Sequence, residues 1–284
     1  MRFALAAAAL LAVVYGCHAG GSRGTTSAAP PPPQTWSHPQ GTVSVDVATS
    51  PFGLVVHDAK GGVLLESAPA HVDVADASDP VEAYAPLAIT HNDDQTIEAP
   101  MKGWDYYRGV DGPWTQATNV TAIDDLADGS LAVHVATTDP AQTITVTIAA
   151  KGPGVNVVAT VDAPGTDADT AINRVSLGWK LHGDAAGAPG DHFLGLGERF
   201  YLTDHLGQPK TYVWVEDKGL GQGEDASPGP SNPIPNGPTM TYIPTPWFMS
   251  PRGFGLLVST TYRSVFHLGE EQPDAWRFEA WTTT

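Results

Sequence analysis

The chain has 284 residues, with 31 Asp and Glu against 14 Lys and Arg, so its formal net charge at pH 7 is -17. This charge repels phosphate backbones and anionic lipid headgroups, which excludes nucleic acid as a good candidate partner. Neutral ligands such as sugars are compatible with it, although acidity by itself mainly favours solubility. After a leader and a linker, the length suits one large all-β domain, which we expect, or two small ones.

The N-terminus has the pattern of an export signal, a short positive start followed by an apolar run from Phe3 to Val14. The only cysteine, Cys17, follows Gly16 directly, as in the lipobox of bacterial lipoproteins. In this interpretation residues 1–16 are a lipoprotein-type signal peptide, and Cys17 carries a lipid anchor in a membrane of the cell envelope. Tyr15 departs from the lipobox pattern, which prefers a small residue there. Ordinary secretory cleavage nearby is the alternative and would give a secreted or periplasmic protein.

Residues 17–40 are predicted to be a linker, because they are rich in Gly, Ser and Pro and include the run Pro30 to Pro33. Such a composition cannot bury a core, and the proline run favours an extended spacer. We expect this segment to hold the following domain away from a membrane surface.

From Gly41 onward the apolar residues alternate with polar ones, which predicts half-buried strands. The pattern is present at Val43, Val45 and Val47; Val72 and Val74; Leu131, Val133 and Val135; and Ile144, Val146 and Ile148. Further strands are predicted at 155–161, 175–181, 255–259 and 264–268, each bounded by turn-forming residues. No convincing helical periodicity follows the signal. The expected fold is therefore all-β, a large antiparallel β-sandwich over residues 41–284.

Two local patterns predict the geometry near residue 250. Ser250-Pro251-Arg252-Gly253 has the residues of a type I turn and should join a hairpin. Pro244 and Pro246 lack backbone donors, so Tyr242 to Phe248 should be an edge strand or an irregular extended segment. Such a segment with aromatic side chains is a candidate wall of a binding site.

Three segments then occur in a characteristic order: Phe193 to Phe200 (FLGLGERF), Val213 to Gly221 (VWVEDKGLG) and Tyr242 to Gly255 (YIPTPWFMSPRGFG). Together they resemble the N-terminal β-sandwich of glycoside hydrolase family 31. The resemblance implies a galactose mutarotase-like supersandwich that packs on a (β/α)8 catalytic barrel and sends a loop toward the active site. It also implies an α-glycosidase as the parent protein and a carbohydrate, such as an α-linked glucoside, as ligand.

By this resemblance, the loop residue that touches sugar is an acid three positions after a tryptophan, here Asp217 after Trp214. An ionised carboxylate accepts hydrogen bonds from sugar hydroxyls and so selects their orientation. Asp217 could equally be a solvated loop charge beside Lys218. Trp214 could stack on a sugar face, although a tryptophan of a sandwich is more often part of the core.

Glu198 and Arg199 are interpreted as structural, as a buried pair at the end of a strand. Gly195 and Gly197 are expected to allow close approach of two backbone segments, since Gly-x-Gly without a following helix is weak evidence for nucleotide binding. No cofactor is predicted.

The chain lacks the Trp-x-Asp-x-Asn-Glu type motif that carries the nucleophile in this family, so no catalytic residue is assigned and the barrel is expected to lie outside this chain. No metal site is predicted either. His182, His192 and His205 are not at ligand spacing, and isolated loop histidines are usually solvated or bound to backbone.

Three functions follow from these patterns. The first is the N-terminal domain of an exported α-glycosidase, which would show exposed apolar surface where the barrel packs. The second is a stand-alone surface lipoprotein that binds carbohydrate without cleaving it. The third is an envelope scaffold without a ligand. We favour the first.

Overall fold

A computed structural model describes residues 8–11, 29–69, 83–98, 105–162, 165, 171–199, 203–208, 211–213 and 243–281. These residues contain nineteen β-strands and no α-helix, which confirms the all-β prediction. The strands are β1 (Ala8–Leu11), β2 (Gln34–Ser37), β3 (Val43–Thr49), β4 (Phe52–Asp58), β5 (Val63–Glu66), β6 (Ala88–Thr90), β7 (Asn92–Glu98), β8 (Asp105–Asp111), β9 (Thr115–Asp125), β10 (Leu131–Thr137), β11 (Thr143–Lys151), β12 (Gly154–Val161), β13 (Arg174–Lys180), β14 (Leu194–Gly195), β15 (Thr211–Val213), β16 (Trp247–Ser250), β17 (Phe254–Val258), β18 (Ser264–His267) and β19 (Ala275–Trp281). The described part of the chain contains no helix with the length and hydropathy that a membrane span requires.

The strands form one large sheet and two small ones. The large sheet has thirteen strands in the order β14-β16-β17-β1-β12-β11-β10-β9-β6-β13-β19-β18-β15. A second sheet has the order β2-β3-β4-β5, and β7 pairs with β8. Neighbouring strands are antiparallel except at β1, which pairs in parallel with both β12 and β17. This strand lies inside the predicted export segment.

The alternating apolar residues produce these strands because one side of each faces the core. In β3 the valines at 43, 45 and 47 are buried and the residues between them are partly exposed. Val133 of β10 lies opposite Val146 of β11, which places two predicted apolar faces on the same side of the sheet. The predicted strands over 155–161, 175–181, 255–259 and 264–268 are also present, within one residue at their starts. Val72 and Val74 lie outside the described residues.

The four-stranded sheet packs over the large sheet, which makes the molecule a sandwich. Phe52 and Leu54 of β4 share a small cavity with Val146, Val157 and Leu177 of the large sheet. One continuous cluster of buried apolar side chains joins the two sheets. It has an aromatic centre in which neighbouring rings lie 5.1 to 6.1 Å apart, formed by Trp179, Phe193, Phe248, Phe254, Phe266 and Trp276.

The sandwich begins before the predicted boundary at Gly41. Gln34–Ser37 form β2 and pair with β3, although residues 17–40 were predicted to be linker. Trp36 is buried, and its indole N–H donates to the carbonyl of Gly129 over 2.9 Å. The assignment of residues 34–40 to the linker is therefore wrong, because the proline run obscured a short strand anchored by one aromatic side chain. Cys17 lies outside the described residues.

The strand β19 is buried on both faces. Trp276, Phe278 and Ala280 belong to the core, and the alternate residues Arg277 and Glu279 are also almost fully buried. Residues 83–85 cover this second face: the Arg277 guanidinium lies 5.0 Å from the centre of the Tyr84 ring, and the Ser176 hydroxyl donates to the carbonyl of Ala83. They approach closely at Gly178 of β13, whose amide donates to the carbonyl of Ala85 over 2.8 Å, and a Cβ at Gly178 would lie 2.7 Å from that oxygen. The large sheet thus has a second, charged buried layer.

Candidate functional site

Two of the three motif segments are adjacent in the fold. The strand β14 pairs with β16, which places Leu194 opposite Met249 and Gly195 opposite Phe248. Beyond the strand, the amide of Leu196 donates to the carbonyl of Trp247 over 2.7 Å, and the amide of Glu198 donates to that of Ile243 over 2.9 Å. The first motif therefore runs beside the start of the third.

The two glycines of the first motif allow this approach, as predicted. Gly195 and Gly197 have φ angles of 140° and 98°, which side-chain-bearing residues rarely adopt. A Cβ on Gly195 would lie 2.7 Å from the carbonyl oxygen of Trp247, and one on Gly197 would lie 2.0 Å from that of Ile243. Their role is close backbone packing.

Glu198 and Arg199 do not form the buried pair expected from the sequence, because the Glu198 side chain is exposed. The Arg199 side chain instead turns back, and its Nε donates to the carbonyl of Leu196 over 3.0 Å. Burial lowers the pKa of this guanidinium to about 10. Arg199 thus supports the backbone turn that follows β14.

The second motif begins where the edge strand β15 ends. Val213 is buried and lies opposite Ser264 of β18. The predicted site residues Trp214 and Asp217 follow at once in the chain and lie outside the described residues, so their assignment as sugar-binding residues stays a prediction. The strand β15 gives this segment a fixed starting point at the edge of the large sheet.

An apolar stripe is exposed at the start of the described segment 243–281. It consists of Ile243, Trp247 and Met249, which are 53%, 39% and 48% exposed. Trp247 and Met249 point to the same side of β16 because they are two residues apart. Surface aromatic and apolar side chains grouped in this way are typical of contact with a protein or with a sugar ring. The expectation that Tyr242 to Phe248 is an irregular extended segment holds for 243–246, which form no strand before β16 begins.

The predicted turn is present and carries a charged anchor. The amide of Gly253 donates to the carbonyl of Ser250 over 3.0 Å, which closes the hairpin of β16 and β17. Arg252 extends from this turn; its Nη1 donates to Asp191 Oδ1 over 3.0 Å and its Nη2 to the carbonyl of Val63 over 2.7 Å. It therefore fastens the hairpin to two other parts of the sandwich.

Two of the histidines near this anchor contact side chains, contrary to the sequence expectation. His192 Nδ1 lies 2.5 Å from Asp204 Oδ2. His182 Nδ1 accepts from Arg252 Nη1 over 2.8 Å and lies 3.2 Å from Asp191 Oδ2. His205 agrees with the expectation, since its Nε2 contacts the carbonyl of Gly195 over 3.2 Å. Asp191 was not singled out from the sequence, where an acid between two histidines in a loop gives no distinct signal.

The pairing of His192 with Asp204 predicts a pH-dependent stability. The hydrogen bond from His192 to Asp204 raises the pKa of the imidazole. Burial acts to raise the pKa of Asp204, but the hydrogen bonds that it accepts outweigh burial and lower it. The histidine contribution is present below its unfolded pKa of about 6.5 and is lost as the pH rises through the raised value. The acid contribution is lost as the pH falls below about 3.9.

We therefore expect His192→Gln to lower the free energy of unfolding more at about pH 5.5 than at about pH 9, as measured by urea denaturation. His134→Gln is the matched control, because His134 contacts Asp124 in a more exposed pair. An equal loss at both pH values would contradict a charged His192 pair.

The second buried layer of the large sheet holds the densest group of charges among the described residues. Glu279 is 2% exposed and lies between the guanidinium groups of Arg174 and Arg277. Burial lowers the pKa of Arg174 to about 10. The Arg174 guanidinium also lies 4.1 Å from the centre of the Trp281 ring. The acidic and basic groups of this layer pair with one another, although some of their buried atoms, such as Arg174 Nε and Arg277 Nε, have no hydrogen-bond partner among the described residues.

Comparisons with known proteins give structural matches alone. No family model matches the chain, and no curated protein matches it. A GH31 dextranase of Flavobacterium johnsoniae matches with 14% identity and a TM-score of 0.29, over 88% of this chain and 24% of that enzyme. The cycloalternan-forming enzyme of Listeria monocytogenes matches with 13% identity and a TM-score of 0.30, over 85% of this chain and 22% of that enzyme.

A cycloalternan-degrading enzyme of Trueperella pyogenes also matches, with 14% identity and a TM-score of 0.28, over 83% of this chain and 28% of that enzyme. The chain thus spans about a quarter of the length of these solved structures. The dextranase carries the name of the family that the sequence motifs resemble. At these identities and scores, the matches assign no activity to this chain.

Proposed function

We propose that this chain is the N-terminal β-sandwich of an exported α-glycosidase, which packs on a catalytic barrel and contributes Trp214 and Asp217 to carbohydrate recognition. The observation that carries the proposal is the placement of the motif segments. The first and third segments lie side by side through Gly195 and Gly197. The second begins at Val213 of β15, at the opposite end of the strand order, and its other residues lie outside the described part of the chain. Loops positioned by a rigid scaffold commonly carry binding residues.

The apolar stripe supports the barrel contact. Ile243, Trp247 and Met249 are exposed at the start of the described segment 243–281. Burying them against a partner domain would remove apolar surface from water, which stabilises by about 25 cal/mol per Å². The lipid anchor at Cys17 and export of the chain are further parts of this proposal and rest on the N-terminal sequence alone.

The DNA that follows codon 284 tests the presence of a barrel. An open frame that encodes a Trp-x-Asp-x-Asn-Glu type motif, in phase with this chain, is expected. Its absence there and elsewhere in the same operon would overturn the α-glycosidase proposal.

The double variant Trp247→Ser with Met249→Ser tests the contact surface. We expect it to reduce self-association and binding of an apolar dye by the isolated chain, because it removes most of the apolar stripe. Light scattering and dye fluorescence measure these effects. Leu126→Ser is the matched control, since Leu126 is similarly exposed at 41% but lies away from the stripe in sequence, directly after β9. Equal effects of the two changes would argue against a specific contact surface.

Two single variants distinguish the stand-alone carbohydrate-binding alternative, which the exposed Trp247 ring also fits. If the isolated chain is monomeric and binds maltotriose or isomaltotriose, and if Trp247→Ser and Asp217→Asn both weaken that binding, the chain is a sugar-binding module by itself. A stable monomer that binds neither sugar would favour the scaffold function. Calorimetric titration measures the affinities.

A further inference from the structure

Three potential metal ligands meet in the turn between β18 and β19. His267 ends β18, and Glu270 and Glu271 follow in the turn. His267 is 4% exposed, whereas the two glutamate side chains are 16% and 23% exposed. The group lies on the charged second layer of the large sheet, away from the apolar core. It thus combines a buried imidazole with two carboxylates that solvent can reach.

The facing atoms of these side chains converge without forming hydrogen bonds. His267 Nδ1 lies 2.8 Å from Glu271 Oε1 and 3.1 Å from Glu270 Oε1. Neither contact has the alignment of a hydrogen bond for Nδ1, and Glu270 Oε1 has no hydrogen-bond partner among the described residues. A buried ring nitrogen without an aligned partner is costly unless something else satisfies it.

The remaining atoms of the three side chains are held in place. The amide of Leu268 donates to Glu270 Oε2 over 2.6 Å, and the hydroxyl of Tyr84 donates to Glu271 Oε2 over 3.0 Å. His267 Nε2 lies 3.3 Å from Glu279 Oε1. A carboxylate at one ring nitrogen retains the proton there and leaves a lone pair on the other, which is the usual outer-shell arrangement of a metal-binding histidine.

We propose that His267 Nδ1, Glu270 Oε1 and Glu271 Oε1 bind a divalent transition-metal ion such as Zn²⁺. Tetrahedral bonds of about 2.0 to 2.2 Å place neighbouring ligand atoms roughly 3.4 Å apart. His267 Nδ1 lies 3.1 and 2.8 Å from the two glutamate oxygens, and all three atoms lie within 4.8 Å of one another, so small side-chain shifts would admit the ion. A neutral imidazole and two carboxylates balance the charge of a dication. The nitrogen ligand favours a transition metal over Ca²⁺ or Mg²⁺, which prefer oxygen ligands.

Both glutamate side chains are partly exposed, whereas His267 Nδ1 and Glu270 Oε1 are themselves buried, so entry of an ion requires the glutamate side chains to move. The inference does not depend on the proposed glycosidase function, and it departs from the sequence expectation that there is no metal site. The competing arrangement is a protonated His267 that is satisfied by Glu270, Glu271 and Glu279 and excludes a metal.

Calorimetric titration of the full chain with Zn²⁺ tests the proposal, on protein made without a polyhistidine tag and stripped with a chelator. One ion per chain is expected, and Co²⁺ should give the visible absorption of a bound ion at the same stoichiometry. Glu270→Gln should weaken Zn²⁺ binding at least about tenfold, since loss of even outer-shell partners has effects of that size. This variant retains the shape of the side chain and an oxygen for the amide of Leu268.

His267→Gln should abolish binding and Glu271→Gln should weaken it, with circular dichroism used to confirm that each variant is folded. The matched control is His192→Gln, which should bind Zn²⁺ with unchanged affinity because His192 belongs to a different cluster. Zn²⁺ should also raise the melting temperature of the native chain and not that of Glu270→Gln. Absence of stoichiometric binding, or equal affinity of the Glu270→Gln variant, would overturn the proposal and favour the protonated histidine.

Discussion

Replacing Glu279 by alanine is expected to lower the free energy of unfolding by about 3 to 5 kcal/mol, since removal of one partner from a buried ion pair leaves an uncompensated charge. Glu279 is 2% exposed and contacts the guanidinium groups of Arg174 and Arg277, which are themselves buried. Without this carboxylate, Arg174 would retain Asp111 and Arg277 would retain Glu271, so each guanidinium would lose its most buried charged partner. Urea denaturation measures the change.

The isosteric change Glu279→Gln separates charge from volume in this experiment. It retains the size of the side chain, so a loss close to that of alanine would assign the effect to the missing charge. Glu66→Ala is the matched control, because Glu66 pairs with Lys180 where both side chains are more than a third exposed. Exposed pairs contribute about 0 to 1 kcal/mol. If Glu279→Ala costs no more than Glu66→Ala, the buried network does not hold the sheet together.

Replacing Gly197 by alanine is expected to destabilise the sandwich by more than the roughly 1 to 2 kcal/mol that a left-handed backbone costs a residue with a Cβ. The added Cβ would lie 2.0 Å from the carbonyl oxygen of Ile243 and 2.8 Å from Pro244 Cα. Both atoms belong to backbone, so neither can rotate away. The first motif would have to separate from the start of the third, with loss of the hydrogen bond from Glu198 to Ile243.

Gly129→Ala provides the control for this clash. Gly129 has a similar φ of 80°, but nothing lies within 4 Å of a Cβ added there. The difference between the two variants in thermal or urea denaturation therefore measures the close approach alone. Equal losses would mean that the two motif segments can separate without cost.

The features that could be predicted from the sequence are those that depend on neighbouring residues. The alternation in β3, β10 and β11 depends on the two-residue period of a strand, and the turn of Ser250 to Gly253 depends on its own side chains. Each is decided within a few residues of the chain. The strand β2 was missed because a single buried side chain, Trp36, anchors it.

The charged layer could not be predicted in this way. Arg277 and Glu279 alternate with core residues along β19, which by itself indicates a solvated face. The face is buried because residues 83–85, almost two hundred positions away, cover it through Tyr84 and through a close contact of Ala85 with Gly178. That contact cannot be predicted from the local sequence of β19.

The sequence by itself determined the all-β class, the strands that alternate, the hairpin turn and the two glycines that permit close packing, since these depend on backbone geometry and on local burial. Only the tertiary structure decided which charges meet. It brought Arg252 to Asp191, and it brought Arg174 to Glu279. The physical reason is that a side chain's partners are set by strand pairing and by the segments that cover each face. Both join residues that are distant along the chain.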